Sequence, residues 1–160
     1  MRPCLVAVLL ALMPIVGVAQ RGDQHYAATL GRLYVDVLGP KTYLEACNRR
    51  HPNHAAANNA AFSDWSKANA AAIAEIKRRM DAYPEYWAQA NRQPASVFKS
   101  RFAQLIADEK RLLERDLASY SPERSETACR KYPEIVLGPL AVLDTARRAQ
   151  LETIRRGPRE

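Results

Sequence analysis

The chain has 160 residues, of which 48% are hydrophobic and 26% charged, with a net charge of +7. That length fits a single domain with a real core. The basic residues fall in scattered pairs such as Arg49-Arg50, Arg78-Arg79, Arg130-Lys131 and Arg155-Arg156, mostly with acids nearby. This pattern belongs to solvated helix faces and argues against nucleic-acid recognition, while leaving room for an acidic protein partner.

Residues 1–19 read as a secretory signal peptide. Arg2 supplies the positive start, the apolar core runs from Leu5 to Val16, and Gly17, Val18 and Ala19 give a small-residue cleavage site. The apolar core is short for a membrane span, and Cys4 lacks the sequence context of a lipidation site. The expected organisation is a signal peptide at 1–19, a single helical domain at 20–156 and a frayed C-terminus at 157–160, with a periplasmic or secreted product. No transmembrane segment is expected after cleavage.

Residues 23–38 carry Tyr26, Leu30, Leu33, Tyr34, Val37 and Leu38 at helical spacing, and Gly39-Pro40 is expected to end that helix. A short helix is predicted for 41–50. A long one follows from Asn53 to about Ala82, with Phe62, Trp65, Ala72, Ile73, Ile76 and Met80 as its apolar stripe. Asn69 lies one turn after Trp65, close to that stripe. A buried amide requires partners. Either its side chain ties down a nearby backbone segment, or Trp65 and Asn69 line a ligand groove.

Tyr83-Pro84-Glu85-Tyr86-Trp87 interrupts the pattern and reads as a connector. Its aromatics, Tyr83, Tyr86 and Trp87, either cap the core or form an interaction surface. Residues 91–94 read as a loop. A second long amphipathic helix begins near Pro94 or Ala95 and runs through Phe98, Phe102, Leu105, Ile106, Leu112, Leu113 and Leu117 to Tyr120. Ser121 and Pro122 then open a short helix that carries Cys129 and closes at Pro133. A last helix is expected from Pro139 or Leu140 through Leu143, Leu151 and Ile154.

Cys47 and Cys129 remain after removal of the signal, and an even count in an exported chain implies a disulfide. Such a bridge closes a loop of about 80 residues, worth about 4 kcal/mol in the chain-entropy model. The expected fold is all-α: a helical bundle with two long amphipathic helices, shorter flanking helices and one disulfide.

The chain contains no GxSxG elbow, no HExxH and no glycine-rich phosphate loop. His51 and His54 are separated by a helix-breaking proline and lack a nearby carboxylate ligand. No catalytic, cofactor-binding or metal residue is therefore assigned. The spacing of Cys47 and Pro52, Trp65-x-x-x-Asn69 and Cys129-x-x-Tyr132-Pro133 resembles uncharacterised small secreted helical proteins of proteobacteria. That resemblance implies the helical fold and a Cys47–Cys129 bridge, and carries no activity. The expectation for function is a non-enzymatic exported protein that binds another macromolecule, as an inhibitor, an immunity-type protein or an envelope accessory factor. The alternatives are a periplasmic stress chaperone, although the Leu-Thr-x-x-Gln motif of such chaperones is missing, and an enzyme whose site is assembled only by folding.

Overall fold

A computed structural model describes residues 18–138 and 141–158, with side chains from Gln24 onward. The described residues form eight α-helices, one 3-10 turn and no strand. In order these are α1 Val18–Arg50, the 3-10 turn Pro52–His54, α2 Ala55–Ala68, α3 Ala70–Asn91, α4 Ala95–Ser119, α5 Pro122–Arg130, α6 Tyr132–Val136, α7 Leu143–Ala146 and α8 Arg148–Arg156. The all-α bundle is thus realised, and no described helix is long and apolar enough to cross a membrane. The expected signal peptide lies almost wholly outside the described residues.

The axis of the bundle is α1, which packs against α2, α3, α4 and α8. It does not stop at Gly39-Pro40 but continues through both, joining the two helices expected there into one. A proline inside a helix forfeits one hydrogen bond and crowds the carbonyl four residues back, at about 3 kcal/mol. Burial outweighs that penalty. Tyr26, Leu30, Leu33 and Val37 before Pro40, and Leu44 and Cys47 after it, are all buried along one stripe. Val37 and Leu44 are seven residues apart, so the register survives the proline. The Thr42 hydroxyl donates to Leu38 O at 3.1 Å and supports the backbone beside it.

The long helix expected from Asn53 to Ala82 is divided at Asn69, whose φ of −106° and ψ of 11° leave the helical range. The division is a kink and not a loop, because Asn69 N still donates to Trp65 O at 3.1 Å and Ile73 N to Asn69 O at 2.9 Å. Beyond it, α3 passes straight through Tyr83-Pro84-Glu85-Tyr86-Trp87, the segment expected to be a connector. Tyr83 and Pro84 are buried there, so packing again outweighs the proline's local cost. The helix ends one turn later, where Arg92 adopts the left-handed conformation (φ 52°) and Gln93 N donates to Ala88 O.

Along α4 the apolar face is only partly covered. Leu117 is buried; Phe98, Phe102, Ile106 and Leu113 are half-buried; Leu105 and Leu112 are exposed. Two arginines of α1 hold its C-terminal end: Arg50 donates to Leu117 O at 2.9 Å and Arg49 to Glu114 at 2.7 Å. Arginines suit this place because the last carbonyls of a helix lack internal partners. The Ser121 hydroxyl accepts from Arg124 N at 3.3 Å and caps α5. Cys129 of α5 bonds to Cys47 of α1 (S–S 2.03 Å, Cα–Cα 5.3 Å).

The short helix α5 ends at Arg130, just ahead of Pro133 as expected. Pro133 sits in the first turn of α6, where a missing N–H has no internal acceptor to lose. Gly138 follows, and a Cβ there would lie 2.9 Å from Glu134 O, so the turn after α6 excludes larger residues. The expected helix start at Pro139 or Leu140 lies outside the described residues. Downstream, the chain forms α7 and α8, separated at Arg147. The C-terminal residues expected to fray are held at their beginning: Gly157, at φ 84°, caps α8, and Arg79 donates to Arg155 O at 2.9 Å.

Candidate binding cleft

Trp65 and Asn69 face the same piece of backbone. The Trp65 indole Nε1 donates to Ala141 O at 3.0 Å. Asn69 Nδ2 donates to the same carbonyl at 2.9 Å and to Trp65 O at 2.9 Å, while its Oδ1 accepts from Leu143 N at 2.7 Å. Asn69 is 2% exposed, so its amide potential is met inside the protein. It acts as a cap in trans, because Leu143 N is the first N–H of α7 and has no helical acceptor. The side chains thus fasten the 141–143 segment onto α2.

That fastening closes one wall of an open apolar cleft of about 330 Å3. α1 contributes Asp36, Gly39, Pro40 and Tyr43; α2 contributes Trp65; α4 contributes Leu113; α6 contributes Tyr132, Ile135 and Val136; Ala141, Leu143 and Arg147 complete it. Tyr132 is held in place by donating to Pro40 O at 3.0 Å, a carbonyl brought within its reach by the unbroken α1. Its ring stacks on Tyr43 with centroids 5.9 Å apart. Burial pushes the Tyr132 phenol far above the ordinary tyrosine range, which keeps it a donor at every physiological pH. At the rim, Arg147 Nε donates to Asp36 at 2.7 Å, and this carboxylate raises the arginine further. A smaller cavity of about 140 Å3 lies between α1 and α4, and Gly39 and Leu113 line both spaces.

Tyr83, Tyr86 and Trp87 lie elsewhere. Tyr83 is 4% exposed, in a ring cluster with Tyr26 and Phe98, so it belongs to the core and not to a surface. Tyr86 and Trp87 are half-buried beside it, with Trp87 against Phe98 at 5.7 Å. These rings join α3 to α1 and α4, and only the outer edges of Tyr86 and Trp87 are open to contact.

Near the fully buried disulfide, His51 Nε2 and the Ser125 hydroxyl are 2.9 Å apart, and His54 faces Glu126 at 3.8 Å. These contacts link the 3-10 turn to α5. Among the described residues, no group of three or more His, Cys, Asp or Glu side chains is placed to hold a metal.

The Asp36–Arg147 pair and the Tyr132–Pro40 bond went unnoticed in the sequence. Their partners are 111 and 92 positions apart. The available signal was the Val37–Leu44 register across Pro40, which marks a continuous helix.

Comparison with known proteins found no matching family model, no matching curated protein and no matching solved structure.

Proposed function

We propose that this chain is a non-enzymatic exported binding protein that engages a protein partner over the surface around the cleft. The observation that carries the reading is the apolar surface on either side of the Gly138 turn. Ile135 is 63% exposed, Leu137 49% and Val142 45%, next to an open apolar cleft that they extend outward. Ile135 lines the cleft itself, Leu137 and Val142 adjoin cleft-lining residues in the chain, and exposed large aliphatic side chains beside a cleft mark an interaction site. The net charge of +7 favours an acidic partner by long-range steering. Export is supported by the signal-like residues 1–19 and by a buried disulfide, which persists in oxidising compartments.

The test is capture from an envelope extract by crosslinking, comparing the parent with Leu137→Glu and Val142→Glu. One dominant acidic protein captured by the parent and lost in both variants, at unchanged melting temperature, is the expected result. Identical capture by all three proteins refutes the reading. A broad set of unfolded clients, together with suppression of client aggregation at substoichiometric amounts, replaces it with the chaperone reading, for which Leu105 and Leu112 on α4 provide further exposed apolar surface.

A further inference from the structure

The cleft and the smaller cavity share Gly39 of α1 and Leu113 of α4 in their linings. A Cβ built at Gly39 finds nothing within 4 Å, so the helix face there opens onto unfilled space. The walls on both sides are largely aliphatic or aromatic: Tyr43, Trp65 and Val136 in one, Val35, Leu38 and Ile106 in the other. Thr42, Glu109 and Lys110 also line the smaller cavity, but a largely apolar space that passes a glycine suits a single flexible hydrocarbon chain better than a compact ring system. The larger part, at about 330 Å3, already falls in the size range of small-ligand sites.

Polar groups stand at the mouths. Asp36 faces Arg147 through Nε at 2.7 Å and Nη2 at 3.5 Å. Among the described residues the remaining Nη1 edge meets only Ala146 O, at 3.5 Å, and keeps donors for an incoming anion. A carboxylate matches such a planar donor edge, and the chain's +7 charge favours an anion over a cation.

We infer that the two spaces form one channel that binds a fatty-acid-like monocarboxylate, its hydrocarbon chain passing Gly39 and its carboxylate on Arg147. This goes beyond the protein-partner reading; Ile135 belongs to both surfaces, but Leu137 and Val142, which test the protein interface, do not line the channel.

The experiment is titration calorimetry of the purified oxidised protein with dodecanoate below its micelle concentration, with dodecan-1-ol as the neutral control. The parent is expected to bind dodecanoate and to prefer it over the alcohol. The Cβ of Gly39→Leu enters open space and the change gains helix propensity, so the variant is expected to melt no lower than the parent while binding roughly tenfold more weakly or worse. Leu113→Trp blocks the channel from α4 and is expected to behave alike. Asp36→Asn leaves Arg147 uncompensated and is expected to strengthen dodecanoate binding several-fold without changing that of the alcohol. No binding by the parent overturns the proposal, as does parent-like binding by both blocking variants. Equal affinity of the parent for dodecanoate and dodecan-1-ol overturns the placement of the carboxylate on Arg147. The variants Leu137→Glu and Val142→Glu, which test the protein interface, are expected to bind dodecanoate as the parent does.

Discussion

Replacing Asn69 by alanine removes three hydrogen bonds at once, and the structure says what each loss does. Trp65 O loses an extra donor but still accepts from Asn69 N, because the backbone bond at 3.1 Å survives. Ala141 O keeps the Trp65 indole. Leu143 N, buried at the start of α7, is left without any acceptor. An orphaned buried donor costs about 1–3 kcal/mol, and the other two bonds contribute up to about 1 kcal/mol each. The expected destabilisation is therefore about 2–4 kcal/mol, or roughly 5–12 °C in melting temperature for a chain of this length. Urea unfolding at pH 7 followed by circular dichroism measures it, with an unchanged denaturant slope. Asn69→Asp keeps the acceptor for Leu143 N but turns a carboxylate toward two carbonyls, so it is expected to be no more stable than Asn69→Ala. Trp65→Phe removes the second donor to Ala141 O. The double variant is expected to lose more than the sum of the singles, by about 1 kcal/mol, because only then is that carbonyl unpaired. A loss below about 0.5 kcal/mol for Asn69→Ala, or strict additivity with Trp65→Phe, refutes the account.

The buried Cys47–Cys129 bridge, with a sequence separation of 82, is expected to contribute about 4–5 kcal/mol by the chain-entropy model. The double alanine variant reads that loss in urea, and dithiothreitol is expected to reduce the native protein only as fast as it unfolds. Burial raises the Tyr132 phenol, so the unfolded chain loses its proton first; this share of stability is complete below about pH 10 and declines as pH rises above it. Tyr132→Phe is expected to flatten that alkaline decline in part, since burial also raises Tyr26 and Tyr43, and to lose about 1 kcal/mol at neutral pH with the bond to Pro40 O. Hydrogen bonds from Arg79 and then Arg78 hold the Glu75 carboxyl below its usual range, so its contribution is present above about pH 4.5 and fades as pH falls further. Acid unfolding curves are expected to be shallower for Glu75→Gln. Asn58 is fully buried with no hydrogen-bond partner for either amide atom among the described residues, so Asn58→Leu is expected to be neutral or to stabilise by about 1 kcal/mol in thermal unfolding.

Local periodicity carried most of the secondary structure. The apolar stripes of α1, α3 and α4, the Ser121-Pro122 start of α5 and the pairing of Cys47 with Cys129 can be read from spacing and residue type, because each depends on neighbours within a few turns or on there being two cysteines outside the signal-like segment. Two prolines were where this reasoning failed. Pro40 and Pro84 each carry a strong local stop signal, yet the helix runs on through both, whereas α5 does end just ahead of Pro133. At Pro40 and Pro84 the buried face on both sides is worth more than one missing hydrogen bond, and at Pro133 the proline stands where no bond is lost.

The cleft belongs to the tertiary structure alone. Trp65 and Asn69 could be singled out by their one-turn spacing, but their acceptor, Ala141 O, and donor, Leu143 N, lie more than 70 residues away and have no sequence signature. The same holds for Arg147 on Asp36 and for Tyr132 on Pro40 O. The chain by itself determines helices, a staple and a net positive charge, because these arise from local propensity and composition. Packing decides which helix faces meet, and so where α4 lies loosely enough against α1 to leave space beside Gly39.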